Sequence, residues 1–209
     1  MLDVARRGLP PRSSRGVFYF VHASRRSHAG QVERTDAFLR ELAAEFPSFR
    51  IRKKRDSRLQ RCIDVGLRIL TLGGQRHYLT HYHTVLFGEL WVPDSWEGTS
   101  DDDRYVLLRH ERVHLRQRAR MGDLRMAMLY LLVFLPLFLS YGRARIEWEA
   151  YEETLRATCE VKGRAAAWGL EDALVLRFTG PDYGFMWPFP KQVRRWFREA
   201  MERIEAENR

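Results

Sequence analysis

Five consecutive residues, His110-Glu111-Arg112-Val113-His114, carry the most specific chemical signal in the chain. On a helix, side chains four apart lie on one face, one turn removed. Two imidazoles at that spacing converge on a single divalent ion. Glu111 stands beside them, where a carboxylate can polarise a water held at the ion and act as general base. A tetrahedral catalytic zinc site takes three protein ligands and leaves a fourth position for water. The chemistry implied is zinc-assisted hydrolysis. The competing reading is a helix whose two histidines only hydrogen-bond, or sit at the surface beside Arg112 and Arg116.

The segment must therefore be a helix with one packed side, and its surroundings are written accordingly. Asp101-Asp102-Asp103 opens it, acidic where the helix dipole favours negative charge. The periodicity runs to about Arg120 and Gly122 ends it, after which Asp123 can cap the next helix. Upstream, His77–Leu79 and Thr84–Val92 are rich in aromatic and β-branched residues, with Gly88 as a turn or bulge. Further upstream, a helix is expected over about Gln31–Phe46, ended by Pro47. Phe49-Arg50-Ile51-Arg52 alternates as a short strand. A second helix runs from Ser57 to Leu72, with Leu59, Ile63, Leu67 and Leu70 on one stripe. Downstream, helices are expected from about Arg143 to Arg164, from Glu171, and over Lys191–Ala206.

A third ligand must come from elsewhere in the chain. Glu147-Trp148-Glu149-Ala150-Tyr151 begins 33 positions after His114. Together the two segments resemble the gluzincin metallopeptidases, whose third ligand is a glutamate on a later helix, within an E-x-x-A-D pattern. Glu147 and Ala150 match that pattern, and Tyr151 stands where the family has Asp. The resemblance implies a zincin-like α+β fold, mainly helical, with a small antiparallel β-ribbon or sheet before the HExxH helix. It implies one zinc ion on His110, His114 and Glu147, with Glu149 and Glu152 as alternatives for the third ligand, and a peptide or protein substrate hydrolysed by metal-activated water. It also implies an edge strand within Thr84–Trp91 that pairs with the extended substrate. An oxyanion donor is needed opposite the general base. Tyr183, in a Gly/Pro-rich loop, is the candidate, and His81 and His83 are alternatives.

Composition bounds what else the chain can be. At 209 residues with 45% hydrophobic and 30% charged residues, it reads as a globular protein. Its two cysteines, Cys62 and Cys159, form no CxxC pair, which excludes a disulfide framework and a cysteine zinc ribbon. The charge is uneven. Of 36 Lys and Arg, 15 fall within residues 1–61, against 6 of the 27 Asp and Glu; the rest balances at 21 and 21. Residues 1–30 read as a basic, flexible arm and 31–209 as one domain. A basic first third favours a nucleic acid or an anionic surface as partner. The start lacks the apolar stretch and cleavage site of a signal peptide, so a cytoplasmic location is expected.

One segment qualifies that expectation. Met126–Tyr141 is an uncharged apolar run containing Pro136. Sixteen helical residues reach about 24 Å, short of the roughly 30 Å hydrocarbon core. A crossing would also put His110 and His114 on the opposite side of the bilayer from Glu147. The run is therefore a buried helix or a hairpin broken at Pro136, or it lies against a membrane surface. Two functions compete with hydrolysis: a non-catalytic zinc-binding protein of the same fold, and a nucleic-acid-associated protein using residues 1–61.

Overall fold

The computed structural model describes residues 28–70, 78–81, 83–86, 88–131, 137–180 and 185–207. Tyr183, most of the basic arm and the middle of the apolar run lie outside them. The order of elements is α1 (His28–Glu45), β1 (Arg50–Lys53), α2 (Arg58–Leu70), α3 (Tyr78–His81), β2 (Thr84–Leu86), β3 (Glu89–Val92) and α4 (Asp101–Met121). Then come α5 (Asp123–Leu131), α6 (Leu137–Lys162), α7 (Arg164–Trp168), α8 (Glu171–Thr179) and α9 (Pro190–Glu207). The class is α+β and mainly helical, as expected.

The sheet differs from the expected antiparallel ribbon. β2 and β3 do pair antiparallel, Val85 opposite Leu90, but β1 joins the other side of β3 in parallel, Ile51 opposite Leu90. The result is a mixed sheet of order β1-β3-β2. The parallel pairing is possible because α2 and α3 supply the crossover a hairpin cannot. Tyr78 and Leu79, expected with His77 to be β-like, instead open the helical turn Tyr78–His81 within that connection. Gly88 makes the β2–β3 turn at φ 81°, and a Cβ there would meet the Arg118 guanidinium at 2.5 Å.

α4 begins and ends as its sequence dictates. The Ser100 hydroxyl accepts from the Asp103 amide at 3.2 Å, three acidic residues fill the first turn, and Gly122 at φ 81° terminates the helix. α4 and α6 pack antiparallel along their length. Lys162 pairs with Asp103, Tyr105 donates to Glu160, His110 meets Thr154, and Gln117 reaches the Ile146 carbonyl. The chain therefore reverses direction between them. Two cores flank this pair. One gathers Trp148, Tyr151 and Leu155 of α6 with Phe178, Trp196 and Phe197. The other gathers Phe38 and Leu42 of α1, Leu90 and Val92 of β3, and Leu108 and Leu115 of α4. The seam between the cores holds the candidate site.

On α2 the expected stripe fails at Leu59, which faces solvent, while Gln60 and Asp64 point inward and are buried; the side chains of Leu67 and Leu70 lie outside the described ones. Among the described residues, no helix is long and apolar enough to cross a membrane, and α5 exposes Leu124 and Met128.

Candidate metal centre

His110 and His114 come from one face of α4, and Glu147 comes from the facing surface of α6. All three are buried, and one donor atom from each lies within 4.8 Å of the others. Arg109, Arg112 and Arg116 leave α4 on the other side and pair with Glu153 and Glu160, with Glu41 and Glu45, and with Glu45. The surface-histidine reading is thereby excluded. The alternative third ligands are occupied elsewhere. Glu149 accepts from Gln117 at 2.9 Å and faces Arg120, while Glu152 pairs with Arg203 at 2.9 Å and with Arg156.

The hydrogen bonds behind the histidines fix which nitrogen carries the proton. Gln117 Nε2 donates to the Ile146 carbonyl and to Glu149, so its Oε1 faces His114 Nδ1 at 2.9 Å and can only accept. His114 therefore carries its proton on Nδ1. Thr154 donates its hydroxyl proton to the Ala150 carbonyl at 3.2 Å, which leaves Oγ1 to accept from His110 Nδ1 at 3.0 Å. These tautomers are inferred from the network. Both Nε2 atoms then present lone pairs to each other, 3.1 Å apart. Two lone pairs facing each other at that separation in a buried site favour a cation that both can bind.

A metal ion fits that need. Nitrogens bound tetrahedrally at about 2.0–2.1 Å stand about 3.4 Å apart, close to the spacing here. Glu147 Oε2 lies 3.8 Å from His114 Nε2, a few tenths of an ångström beyond that spacing, and all three donor atoms lie within 4.8 Å of one another. A shared proton is disfavoured on His110, whose burial, reinforced by the fields of His114 and Arg177, holds its pKa well below the ordinary histidine value. Each histidine is also oriented through its second nitrogen, a recurrent feature of metal-binding imidazoles. Here Thr154 and Gln117 are those partners. Tyr151, which stands where the gluzincin pattern has Asp, packs edge-to-face with His110, ring centroids 4.9 Å apart, and accepts from Arg177 at 2.9 Å.

Glu111 is buried beside the triad. Desolvation pushes its pKa up to about 7, the nearby Glu147 charge pushes the same way, and His114 and Lys54 oppose it. A carboxyl that titrates near neutrality is placed to take and return a proton. Lys54 is fully buried after β1 and donates to the Thr84 hydroxyl at 2.8 Å. Burial lowers its pKa to about 7, against the attraction of Asp64 and Glu111. His83 also lies within electrostatic reach of His110 and Lys54; burial drives its pKa to about 4, so it is neutral. Its Nε2 is buried with no hydrogen-bond partner among the described residues.

The structure thus brings together His110, His114, Glu147 and Glu111, and sets His83 close by. Lys54, Gln117, Thr154 and Arg177 carried no signal in the motif itself. Two of them had a readable spacing: Gln117 lies three residues past His114, and Thr154 lies seven past Glu147, on the same faces as the ligands. Comparison with protein-family models, with curated proteins and with solved structures returned no match, so the site stands on its own geometry.

Proposed function

We propose that the chain is a zinc-dependent metallopeptidase, with one zinc ion held by His110, His114 and Glu147. The observation that carries this reading is the pair of oriented imidazoles with facing lone pairs, next to a buried carboxyl whose pKa is about 7. Two nitrogens and one carboxylate oxygen suit zinc, which is bound by such mixed sets and tolerates an open fourth position. Zinc bound there supplies Lewis acidity toward a substrate carbonyl and toward water.

The residues of the chain do the rest. Glu111 removes a proton from the attacking water and delivers it to the leaving amine as the carbon–nitrogen bond breaks. Thr154 and Gln117 keep both imidazoles aimed at the metal through their Nδ1 protons. His83 or Tyr183 serves as donor to the oxyanion that develops on the carbonyl. β2 is an edge strand of the described sheet and contacts α4, so an extended peptide pairing with Thr84–Leu86 would run beside the HExxH helix.

The test is Glu111→Gln, assayed on a broad peptide panel with zinc content measured in parallel. The reading expects zinc retained and hydrolysis reduced by at least about 100-fold. Zinc retained with no hydrolysis by the wild-type chain would instead support a non-catalytic zinc protein. Equal hydrolysis by both proteins would overturn the role of Glu111.

A further inference from the structure

Among its described side chains, α2 buries polar residues and exposes apolar ones. Gln60 is fully buried, and Asp64 is 4% exposed and paired with Arg68 at 2.8 Å. On the opposite side Leu59 is 49%, Val65 55% and Ile69 69% exposed, with Cys62 exposed between them. At 100° per residue, Leu59, Cys62, Val65 and Ile69 fall within an arc of about 120°, centred opposite Gln60 and Asp64. Arg61 and Arg68 are exposed along one edge of that arc, and Arg58 is exposed within it at the start of the helix. No acidic residue is exposed on α2, because Asp64 is its one acid and points inward.

The inverted mounting has a local cause. The inner face of α2 approaches Lys54, whose charge interacts with Asp64 and Glu111. A buried lysine requires polar company. Asp64 supplies it from the inner face of α2, which leaves the apolar arc outside. A soluble helix has no reason to keep three large apolar side chains half or more exposed on one face.

We infer that α2 is an interfacial helix that docks the protein on an anionic lipid surface. Apolar side chains of this kind sink into the headgroup boundary, and arginines at the rim of the arc reach lipid phosphates and carboxylates. Thirteen residues give a helix of about 20 Å, long enough to lie in that plane. Charge selects this occupant over others. A nucleic acid would meet the arginines but leave the leucine, valine and isoleucine without a partner. A second copy packed face to face across α2 would set arginine against arginine. The excess of basic residues in positions 1–61 adds attraction of the same sign. The inference is independent of the peptidase reading, since none of these exposed side chains touches the metal triad.

The experiment is co-sedimentation of the full chain with phosphatidylcholine vesicles, with and without about one third phosphatidylserine. Wild-type protein is expected to bind the anionic vesicles and to bind the neutral ones far less. Leu59→Gln/Val65→Gln/Ile69→Gln should lower partitioning by about 100-fold, since three half-exposed apolar side chains lose their burial. Arg58→Glu/Arg61→Glu should lower it by at least about 10-fold and erase the preference for phosphatidylserine. Circular dichroism and thermal melts confirm that both variants keep the wild-type fold. An environment-sensitive fluorophore on Cys62, in a Cys159→Ser background, should shift to the blue with anionic vesicles. Three results would overturn the inference: no vesicle binding by the wild type, unchanged partitioning of the triple Gln variant, or a concentration-dependent dimer that this variant abolishes in the absence of vesicle binding.

Discussion

Replacing Gln117 with leucine removes one acceptor and one donor from a buried network without touching the metal. Gln117 Oε1 accepts from His114 Nδ1 at 2.9 Å, and Nε2 donates to the Ile146 carbonyl at 3.0 Å. In the variant the imidazole N–H loses this acceptor in a buried site, at a cost of about 1–3 kcal/mol. The ring is then free to swing or change tautomer. Loss of such an orienting partner typically weakens metal affinity by about 10–100-fold. Thr154→Val is the informative control. It removes the acceptor of His110 Nδ1, yet the Ala150 carbonyl is also within reach of that group, so a replacement acceptor is at hand. Its effect should fall at the lower end, about 10-fold or less. Competition titration with a chromophoric chelator measures both affinities, and the order should be wild type, then Thr154→Val, then Gln117→Leu. Unchanged affinity in Gln117→Leu, or a larger loss in Thr154→Val, would refute the tautomer assignment and with it the facing lone pairs.

Three further predictions concern proton linkage and ligand identity. Glu111 is raised from 4.5 to about 7, so the folded apoprotein holds its proton more tightly than the unfolded chain. Its contribution to stability therefore falls as pH rises from about 4.5 to 7; urea melts of metal-free protein should show Glu111→Gln more stable than wild type at pH 8, by about 3 kcal/mol at most, and equal to it near pH 4. Lys54 is lowered from 10.5 to about 7, so the unfolded chain binds its proton more tightly. Wild-type stability gains from Lys54 as pH rises between about 7 and 10.5, and Lys54→Met should lose that slope in the same melts. Glu152→Ala, which cuts ion pairs to Arg203 and Arg156, should leave metal affinity within about 3-fold of wild type in the chelator titration.

Local signals carried the helix that matters most. The three acids and Gly122 placed the ends of α4 within a residue or two, and the histidine spacing placed both ligands on one face. Glu147 was legible only by pattern, because choosing among Glu147, Glu149 and Glu152 depends on the phase of α6 against α4. That phase is set by tertiary contacts such as Gln117 to Ile146 and Lys162 to Asp103. The parallel pairing of β1 with β3 was hidden for a related reason, since register across a long crossover leaves no mark in either strand. α2 shows the opposite failure. Leu59 belonged to the expected buried stripe, but a buried lysine whose charge interacts with Glu111 demanded a polar neighbour, and Asp64 turned inward to meet it while Leu59 faces solvent.

Metal content tests the three-ligand site of His110, His114 and Glu147 most directly. Protein purified without added chelator should contain one zinc ion per chain by elemental analysis. Glu147→Ala should lose at least about 100-fold in zinc affinity while keeping its helical circular dichroism. A wild-type chain with no stoichiometric metal after reconstitution, or a Glu147→Ala variant that binds zinc as the wild type does, would contradict it.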